Sequence, residues 1–394
     1  MQAKDLSQER QKLLVPLNIY SGAYALIPPP VPRRLDLGKE GWNEIARAHK
    51  ALNLLEEVSG RLPNPDFITR TWDRREAVRS SQIEGTQSEV DDLLAYEATG
   101  SDEGMPQDVR VTKNYVVALE KGLGKVRELG VVAIDCGLIK EIHATLMENV
   151  EYNGTPGEFR ESQNWIGGGG NIYNARFVPP PPARLQECMD DLENILQYRA
   201  PEDEQLVPSI LTRMAIAHVQ FESIHPFLDG NGRVGRILLP LMLVAEGYPP
   251  VYLAGYLKSN QQEYYDTLLG VQLRDRWADW VRFFALGVES AVQESIKTGL
   301  ALERVLGKWQ TTIGGLGLRS DSILHKFPEL LISSPVLTAK RAMNDLNTSF
   351  PSVSAALSKL VNIGMLSMKE EGSKRNRVFI AHEVIDILNM PVDA

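Results

Sequence analysis

One short stretch, residues 225–236 (His-Pro-Phe-Leu-Asp-Gly-Asn-Gly-Arg-Val-Gly-Arg), separates two apolar segments and constrains how the middle of the chain can fold. Upstream, apolar side chains within 206–224 recur at spacings of three and four residues, which predicts a helix facing the core. Pro226 cannot continue that helix, so we expect His225 in its last turn. A second apolar helix is predicted over 233–246. The stretch is therefore a loop that leads into a helix N-terminus.

A helix N-terminus reached through a glycine-rich loop is suited to bind an anion. Unpaired backbone N–H groups and the positive end of the helix dipole point at such a ligand. Gly230 and Gly232 allow close backbone approach, and Asn231 can donate from its amide. The predicted boundary places Arg233 and Arg236 in the first helical turn, where a cation is disfavoured unless an anion is bound. These features together indicate a phosphate site.

Two further side chains of the stretch have chemistry that suits a nucleotide. Asp229 offers Mg²⁺ a hard oxygen ligand, and His225 can accept a proton near neutral pH. Taken singly, each piece has an ordinary explanation, since Gly-Asn-Gly is usually a turn, a buried histidine is usually a core residue and arginines are usually solvated. Their coincidence within twelve positions favours nucleotide handling.

The stretch matches the H-x-F-x-[DE]-G-N-G-R-x-x-R signature of the Fic family. Members of that family transfer a nucleotide monophosphate, usually AMP from ATP, to a hydroxyl group of a protein. Flanking residues extend the resemblance, namely 221–222 (Phe-Glu), 156–160 (Pro-Gly-Glu-Phe-Arg) and 264–265 (Tyr-Tyr). The chain resembles the family over roughly residues 15 to 290.

The resemblance implies a role for each residue of the stretch. His225 would be the general base, Asp229 would hold Mg²⁺ against the α and β phosphates, and Arg236 would hold the γ-phosphate. Positioning and electrostatics would be the main catalytic terms. The implied nucleotide-binding set comprises Gly230, Asn231, Gly232, Arg233, Val234, Gly235 and Arg236. Weaker candidates for the adenine and ribose pocket are Asn260, Tyr265 and Gln272, for which ordinary helix packing is an equal explanation.

A second motif lies upstream of the core. Residues 80–85 (Ser-Ser-Gln-Ile-Glu-Gly) match the S/T-x-x-x-E-[GN] inhibitory motif of Fic proteins, and Ser80, Glu84 and Gly85 occupy its specified positions. Glu84 is expected in the last turn of a helix over about 74–85, where its carboxylate meets the negative end of the dipole. Pairing with Arg236 would relieve both charges and exclude the γ-phosphate. The alternative is an exposed helical glutamate.

Residues 163–178 predict a hairpin, and the resemblance to Fic proteins implies that it is a flap that positions the target residue over the nucleotide. Two short strands are expected on either side of four glycines, followed by a proline run at 179–182 that prevents further sheet pairing. A free strand edge could pair with an extended segment of a target. The flap residues singled out are Trp165, Ile166 and Ile172. An ordinary surface hairpin and a disordered loop tip are the alternatives.

The predicted fold is mainly α, with a Fic-type helical core carrying a β-hairpin flap and a winged helix-turn-helix domain after it. Three consecutive domains are expected: 1–110, an N-terminal strap and helical region with the inhibitory helix; 111–292, the catalytic core; and 293–394, the winged helix. In the last domain, 352–362 would be the recognition helix. Its candidate contacts are Ser352, Ser354 and Lys359, with Lys374, Arg375 and Arg377 in the wing.

Bulk properties narrow the choice of partners and location. A net charge of -9 over 394 residues argues against general coating of nucleic acid, so DNA binding by the last domain is less favoured than a protein-interaction or dimer-forming role. Cys136 and Cys188 have no disulfide or metal spacing, which fits a reducing compartment. No signal peptide or apolar run of membrane length is visible, so we expect a cytoplasmic protein without a membrane partner.

Four functions remain open from the sequence. The leading one is an autoinhibited protein adenylyltransferase that uses ATP and Mg²⁺ to modify Ser, Thr or Tyr hydroxyls, its own included. The second is removal of AMP from a modified protein at the same site, with Glu84 orienting a water. The third is a DNA-binding regulator with a Fic core, and the fourth is a phosphohydrolase, which too few metal ligands disfavour. A homodimer and the identity of the target are left open.

Overall fold

A computed structural model describes residues 1, 3–32, 35–61, 65–198, 208–370 and 377–390. In these residues the α-helices are, in chain order, α1 (Gln8–Gln11), α2 (Gly38–Arg61), α3 (Pro65–Ile83), α4 (Val90–Thr99), α5 (Val109–Leu129), α6 (Cys136–Leu146), α7 (Leu185–Leu196), α8 (Ile210–Ile224), α9 (Asn231–Ala245), α10 (Ala254–Ser259), α11 (Gln261–Arg274), α12 (Trp277–Gly314), α13 (Phe327–Ser333), α14 (Ala339–Asp345), α15 (Phe350–Asn362) and α16 (His382–Leu388). The strands are β1 (Leu14–Pro16), β2 (Tyr24–Leu26), β3 (Val336–Thr338), β4 (Ser367–Glu370) and β5 (Arg377–Ile380). The mainly helical fold is as predicted.

The chain forms two compact units that are not consecutive segments. The first contains residues 1–56 and 117–292, and the second contains 57–116 and 293–394. These units differ from the three consecutive domains expected from sequence. Residues 57–116, which precede the core, pack with the C-terminal residues 293–394. The functional division into three domains stays a prediction.

The first unit is built around α8 and α9, which pack against each other. Every residue of α8 is buried, so it is an internal helix rather than one with a single apolar face. Trp280 of α12 is also fully buried and donates from Nε1 to the carbonyl of Ala215 in α8 at 2.8 Å. These contacts give the short stretch between α8 and α9 a rigid base.

The N-terminal segment, predicted as an extended strap, contains a β-hairpin. β1 and β2 pair antiparallel, with Leu14 opposite Leu26. Leu17 and Ala25 of this hairpin are buried in a cluster with Ile172 and Val178. The backbone N–H of Leu26 also donates to the carbonyl of Val178 at 2.9 Å. The N-terminal hairpin therefore anchors the segment predicted as the flap.

In the second unit, α4 is fixed to the C-terminal elements by polar contacts. Glu97 is ion-paired with Arg74 at 3.2 Å and with Lys113 at 3.0 Å. Arg341 of α14 donates to the Glu97 carbonyl at 2.6 Å, and Thr338 of β3 donates to the Ala98 carbonyl at 3.4 Å. Because several of these groups are buried, they specify one arrangement and explain why 57–116 belongs with 293–394.

Among the C-terminal elements, α15 covers the helix predicted at 352–362, and the strands form an antiparallel sheet in the order β3-β5-β4. The proposed wing residues Lys374 and Arg375 lie outside the described residues, while Arg377 begins β5. The assignment of a winged helix stays a prediction.

Among the described helices, none combines the length and the apolar composition needed to cross a bilayer.

Candidate functional site

His225 ends α8 in a left-handed backbone conformation, with φ 50° and ψ 59°. Its N–H donates to the Phe221 carbonyl at 2.9 Å, and its side chain is 21% exposed. The imidazole Nδ1 lies 3.7 Å from a carboxylate oxygen of Glu222. Left-handed helix ends are normally glycine, so a histidine here is held by its surroundings. The predicted end of α8 before Pro226 is confirmed.

Asn231 closes the loop onto itself. Its Oδ1 accepts from the Phe227 N–H at 2.9 Å, and its Nδ2 donates to the Phe227 carbonyl at 2.9 Å. The residue is buried, so its amide shapes the loop instead of facing solvent. The expected contact of this side chain with phosphate stays a prediction for its remaining N–H.

Gly230 precedes α9 and makes the sharp entry into it. Its φ is 82°, and a Cβ at this position would lie 2.3 Å from Cε of Met147. α9 therefore begins at Asn231, two residues earlier than predicted. Arg233 is in the first turn, but the prediction that Arg236 is there too was wrong, since it falls in the second turn. The left-handed glycine and the Asn231 side chain together start the helix early.

Both arginines of the stretch are buried, which places strong positive charge beside the helix N-terminus. Arg236 is 2% exposed. Nη2 of Arg233 lies 3.2 Å from Oδ2 of Asp229, and its buried Nε has no acceptor in the described part of the chain. A buried N–H without an acceptor costs about 1–3 kcal/mol, which a bound anion would recover. The site is therefore prepared for a negative ligand.

Val234 and Gly235 face the interior. Val234 is fully buried, and a Cβ on Gly235 would lie 2.9 Å from Oε1 of Glu222. Glycine at 235 is required by close packing of α9 on α8. Their expected contact with a nucleotide, through backbone atoms, stays a prediction.

Asp229 is the one member of the stretch whose side chain is largely in solvent, at 71% exposure. Its Oδ1 accepts the Gly230 N–H at 2.7 Å, which fixes the direction of the carboxylate. Carboxylate oxygens are the ligands Mg²⁺ prefers, and the metal commonly keeps only one or two of them beside water and phosphate. An exposed, oriented carboxylate beside buried arginines fits that arrangement.

His143 of α6 was missed in the sequence and supports the loop from behind. Its Nδ1 accepts the Gly157 N–H at 2.9 Å, so the neutral ring carries its proton on Nε2, which donates to the Asp229 carbonyl at 3.2 Å. The ring stacks on Phe227 at 3.7 Å between centroids. Burial lowers the pKa of His143 to about 4, so it stays neutral. The available signal was that His143 shares one helix face with the apolar residues Ile139, Ile142 and Leu146.

Comparison with known proteins agrees with this geometry. Residues 42–124 match the Fic/DOC family N-terminal region, and residues 133–243 match the Fic/DOC family. The chain belongs to the Fic/DOC family. The signature stretch and α6 both lie within the second match.

Curated relatives of this Fic protein are named adenylyltransferases. Protein adenylyltransferase fic-1 of Caenorhabditis elegans is 34% identical over 125 residues, which are 32% of this chain and 23% of that protein. Protein adenylyltransferase Fic of Aedes aegypti is 36% identical over 131 residues, 33% of this chain and 23% of that protein. The chain thus spans less than a quarter of the length of these relatives.

Solved structures share the fold. A Fic family protein from Desulfovibrio desulfuricans superposes with a TM-score of 0.51 at 19% identity, over 90% of this chain and 98% of that one. A Fic domain containing signaling protein from Bacteroides thetaiotaomicron gives 0.52 at 18% identity, over 65% of this chain and 97% of that one.

The adenine candidates of this Fic core lie on or beside α11. Asn260 donates to the Tyr256 carbonyl at 3.0 Å, and the Tyr265 hydroxyl accepts from Gln261 at 3.3 Å. Gln272 is buried, and its Nε2 has no hydrogen-bond partner in the described residues. The role of these three residues in an adenine and ribose pocket stays a prediction.

His218, also missed in the sequence, connects α11 to the signature helix. Its Nε2 lies 2.9 Å from the Tyr264 hydroxyl, and its Nδ1 lies 3.4 Å from the Gly235 carbonyl. Complete burial lowers its pKa to about 3, with Arg236 contributing repulsion. The neutral ring thus bridges the two helices.

The two strands predicted for the flap are shortened to a single antiparallel bridge. Ile166 pairs with Phe177, and Ile172–Asn174 is a 3-10 turn. All four glycines of 167–170 have positive φ, as expected for the turn predicted between the strands. Ile172 is 4% exposed beneath the N-terminal hairpin, whereas Trp165 stays half-buried. Ile172 is an anchor, and target positioning by Trp165 and Ile166 stays a prediction.

The inhibitory motif lies at the end of α3 in the second unit. Ser80 is fully buried, and Gly85 has φ 96°, as expected just after a helix. Glu84 directly follows the helix and is exposed. Its role as an inhibitor stays a prediction.

Proposed function

We propose that this Fic protein is a protein adenylyltransferase that transfers AMP from ATP to a hydroxyl group of a protein. The observation that carries the proposal is the buried Arg233 at the first turn of α9, whose unused Nε–H faces no acceptor in the described residues. It lies next to an exposed carboxylate and follows a partly exposed histidine by eight residues. The names of the curated relatives support the same activity.

The proposed reaction uses His225 as general base. The Oγ or phenolic oxygen of the target loses its proton to the imidazole and forms a bond to the α-phosphorus of ATP. The bond between the α-phosphorus and the bridging oxygen breaks, and pyrophosphate leaves with that oxygen. Arg233, Arg236 and the N-terminal amides of α9 offset the charge on the phosphoryl oxygens.

Asp229 would hold Mg²⁺ brought in with ATP, and the metal would neutralise phosphate charge and orient the pyrophosphate. The chain itself contributes the direction of the carboxylate, which the Gly230 N–H fixes. ATP, rather than another nucleotide, is proposed from the relatives' names.

The activity is proposed to be autoinhibited by Glu84. The motif at 80–85 supports this, as does the position of Glu84 directly after α3, where its carboxylate meets the negative end of the helix dipole. A carboxylate that engages Arg236 would take the group that holds the γ-phosphate, and ATP could then bind only in an unproductive orientation.

The test compares wild type, Glu84→Gly and His225→Ala in labelled ATP and Mg²⁺, with label on protein as the readout. We expect labelling of the chain itself to rise at least 10-fold in Glu84→Gly and to be absent in the double variant with His225→Ala. Glu89→Gly is the matched control, since it removes another exposed carboxylate from the same α3–α4 connection and leaves a residue tolerated at a helix N-cap.

Two outcomes would contradict the proposal. Labelling that survives His225→Ala would show that His225 is not the general base. An equal rise of labelling in Glu89→Gly would show that the effect of Glu84→Gly is nonspecific. Loss of label from pre-modified protein only when Glu84 is present would instead favour the reverse reaction, removal of AMP.

A further inference from the structure

Arg160 is a buried cation whose partners are all backbone carbonyls. Its side chain lies in the first unit, and the residue is 4% exposed. Nε donates to the His225 carbonyl at 2.9 Å, Nη1 to the Ser162 carbonyl at 3.1 Å and Nη2 to the Pro180 carbonyl at 2.6 Å. In the described part of the chain no carboxylate lies at ion-pair distance from it. A buried charge without a counter-ion is costly, so these bonds must be needed for another reason.

The bond to the His225 carbonyl acts on a residue that is conformationally strained. A non-glycine residue in the left-handed region is disfavoured by about 1–2 kcal/mol, and His225 has φ 50°. The carbonyl at the end of α8 has no partner within the helix. A charged donor at 2.9 Å supplies that partner and fixes the orientation of the peptide between His225 and Pro226. The direction in which the imidazole leaves the backbone follows from this orientation.

Neighbouring contacts make the same connection. The Arg160 N–H donates to the Pro226 carbonyl at 2.9 Å, so the residue holds two successive carbonyls. Nδ2 of Asn164 adds a bond to the Phe227 carbonyl at 3.0 Å and a longer one to that of His225 at 3.4 Å. Residues 160–164 therefore donate hydrogen bonds to each of the three backbone carbonyls of 225–227.

The proline run after the flap completes the arrangement. The Pro180 carbonyl accepts from Arg160, and the Pro179 carbonyl accepts from Gln163 at 3.0 Å. Prolines have no N–H to pair in a sheet, and in this run the carbonyls of Pro179 and Pro180 accept side-chain donors. Arg160 thus joins the end of α8 to the base of the flap segment through one guanidinium.

We infer that Arg160 is a positioning residue for the reaction: it holds the backbone of His225 in the left-handed conformation that aims the imidazole at the attacking hydroxyl. Only a planar fork reaches three carbonyls in different directions, so lysine, which keeps the charge, does not replace it. The role affects the chemical step rather than nucleotide binding. The guanidinium donates to the carbonyls of His225, Ser162 and Pro180, and none of these lies at the phosphate-binding end of the stretch.

The test is Arg160→Lys in the Glu84→Gly background, with Arg213→Lys as the matched control. Arg213 is equally buried in the same unit and lies on α8, but it is ion-paired with Glu246 at 2.6 Å, away from His225. We expect Arg160→Lys to lower kcat for AMP transfer about 100-fold while the Kd for ATP stays within twofold. Arg213→Lys is expected to change kcat by less than threefold, whatever it does to the thermal midpoint.

A second readout does not depend on transfer. With labelled histidine, the imidazole resonances of His225, identified by their loss in His225→Ala, should shift in Arg160→Lys and stay in place in Arg213→Lys. An unchanged kcat with unchanged His225 resonances in folded Arg160→Lys would overturn the inference. So would a loss of ATP affinity that accounts for the whole drop in rate.

The inference rests on the proposed function, and the two can fail separately. If the Glu84→Gly protein transfers no AMP, the proposed function fails, and the resonances alone decide whether Arg160 positions His225. If it does transfer and Arg160→Lys transfers equally, only the role of Arg160 is wrong.

Discussion

At the scale of single residues, the site depends on positions where the backbone is left-handed. His225 and Gly230 both have positive φ, at the end of α8 and just before α9. Glycine suits position 230 because any other residue would be strained at φ 82°. His225 is held in its strained conformation by the hydrogen bond from Arg160 to its carbonyl.

Gly230→Ala should therefore impair the site more than a change at another left-handed glycine. We expect a loss of about 1–2 kcal/mol in the free energy of unfolding from φ strain, and loss of ATP binding because the strained residue lies at the entry to α9. Gly247→Ala is the control, because Gly247 has φ 89° after the end of α9, so a similar loss of stability should leave ATP binding unchanged. Chemical denaturation and ATP titration measure both. An equal effect of the two variants on ATP affinity would contradict the role of Gly230.

At the scale of helices and strands, α4 shows why 57–116 joins the C-terminal elements. Glu97 is held by Arg74 and Lys113, and burial would raise the pKa of its carboxyl, but these two cations outweigh it and leave the pKa lowered. The net effect is a charged group that connects α3, α4 and α5. No pattern in the sequence distinguished this glutamate from the surface carboxylates around it.

Glu97→Gln should destabilise the protein by about 3 kcal/mol, because it leaves two cations around a neutral side chain in a buried site. Asp102→Asn removes an exposed carboxylate that pairs with Arg110 in the same unit at 2.7 Å, and should cost about 0–1 kcal/mol. Urea denaturation followed by circular dichroism compares the two. A cost for Glu97→Gln no larger than that of the exposed control would mean that this ion-pair network does not hold α4.

α15 contains the predicted recognition helix, 352–362. Its predicted contact residue Ser354 lines a cavity of about 1370 Å³ in the second unit, together with Ser358 and the segment 100–101 that follows α4. A recognition helix must protrude to enter a major groove about 12 Å wide. Ser354 and Ser358 face an open cavity, and a role of α15 in binding DNA stays a prediction.

Because the chain carries a net charge of -9, we expect it to show no saturable binding to duplex DNA, and weak association that disappears between about 50 and 200 mM salt. Fluorescence anisotropy with a labelled duplex over a salt series measures this. Saturable binding that persists at the higher salt concentration would revive the DNA-binding hypothesis and would require α15 to be accessible.

At the scale of the whole molecule, two buried neutral histidines link folding to pH. Desolvation lowers the pKa of His143 to about 4 and that of His218 to about 3, both below the ordinary value of 6.5. In the unfolded chain they would take up protons at higher pH than in the folded one. Their contribution to stability is therefore complete above about pH 6.5 and is lost as the pH falls towards their folded pKa values.

Stability should thus fall on acidification from pH 7 to pH 4, with His143 alone responsible for a loss on the order of 3 kcal/mol. His143→Phe keeps an aromatic ring beside Phe227 but cannot be protonated, so its stability should be lower at pH 7 and vary less with pH. His325→Gln, a change at an exposed histidine, should leave the pH dependence as in wild type. If the free energy of unfolding of His143→Phe varied with pH as steeply as that of wild type, His143 would not be responsible for the loss of stability on acidification.

The sequence by itself determined the parts of this protein that depend on neighbouring residues. The spacing within 225–236 specified two helices joined by a short loop, because Pro226 must end one helix and Gly230 can enter the next. Local periodicity also specified α15. Such features depend on backbone restrictions and spacing, which a sequence displays directly.

Only the tertiary structure decided which distant groups complete the site. His143 and Arg160 reach the loop from 65 or more residues away in the chain, through backbone carbonyls that carry no sequence signal. The same holds for the flap, where the N-terminal hairpin buries Ile172. Hydrogen bonds to carbonyls and burial depend on which segments the fold brings together, so the motif could indicate His225 as a candidate base but not the residues that hold its backbone.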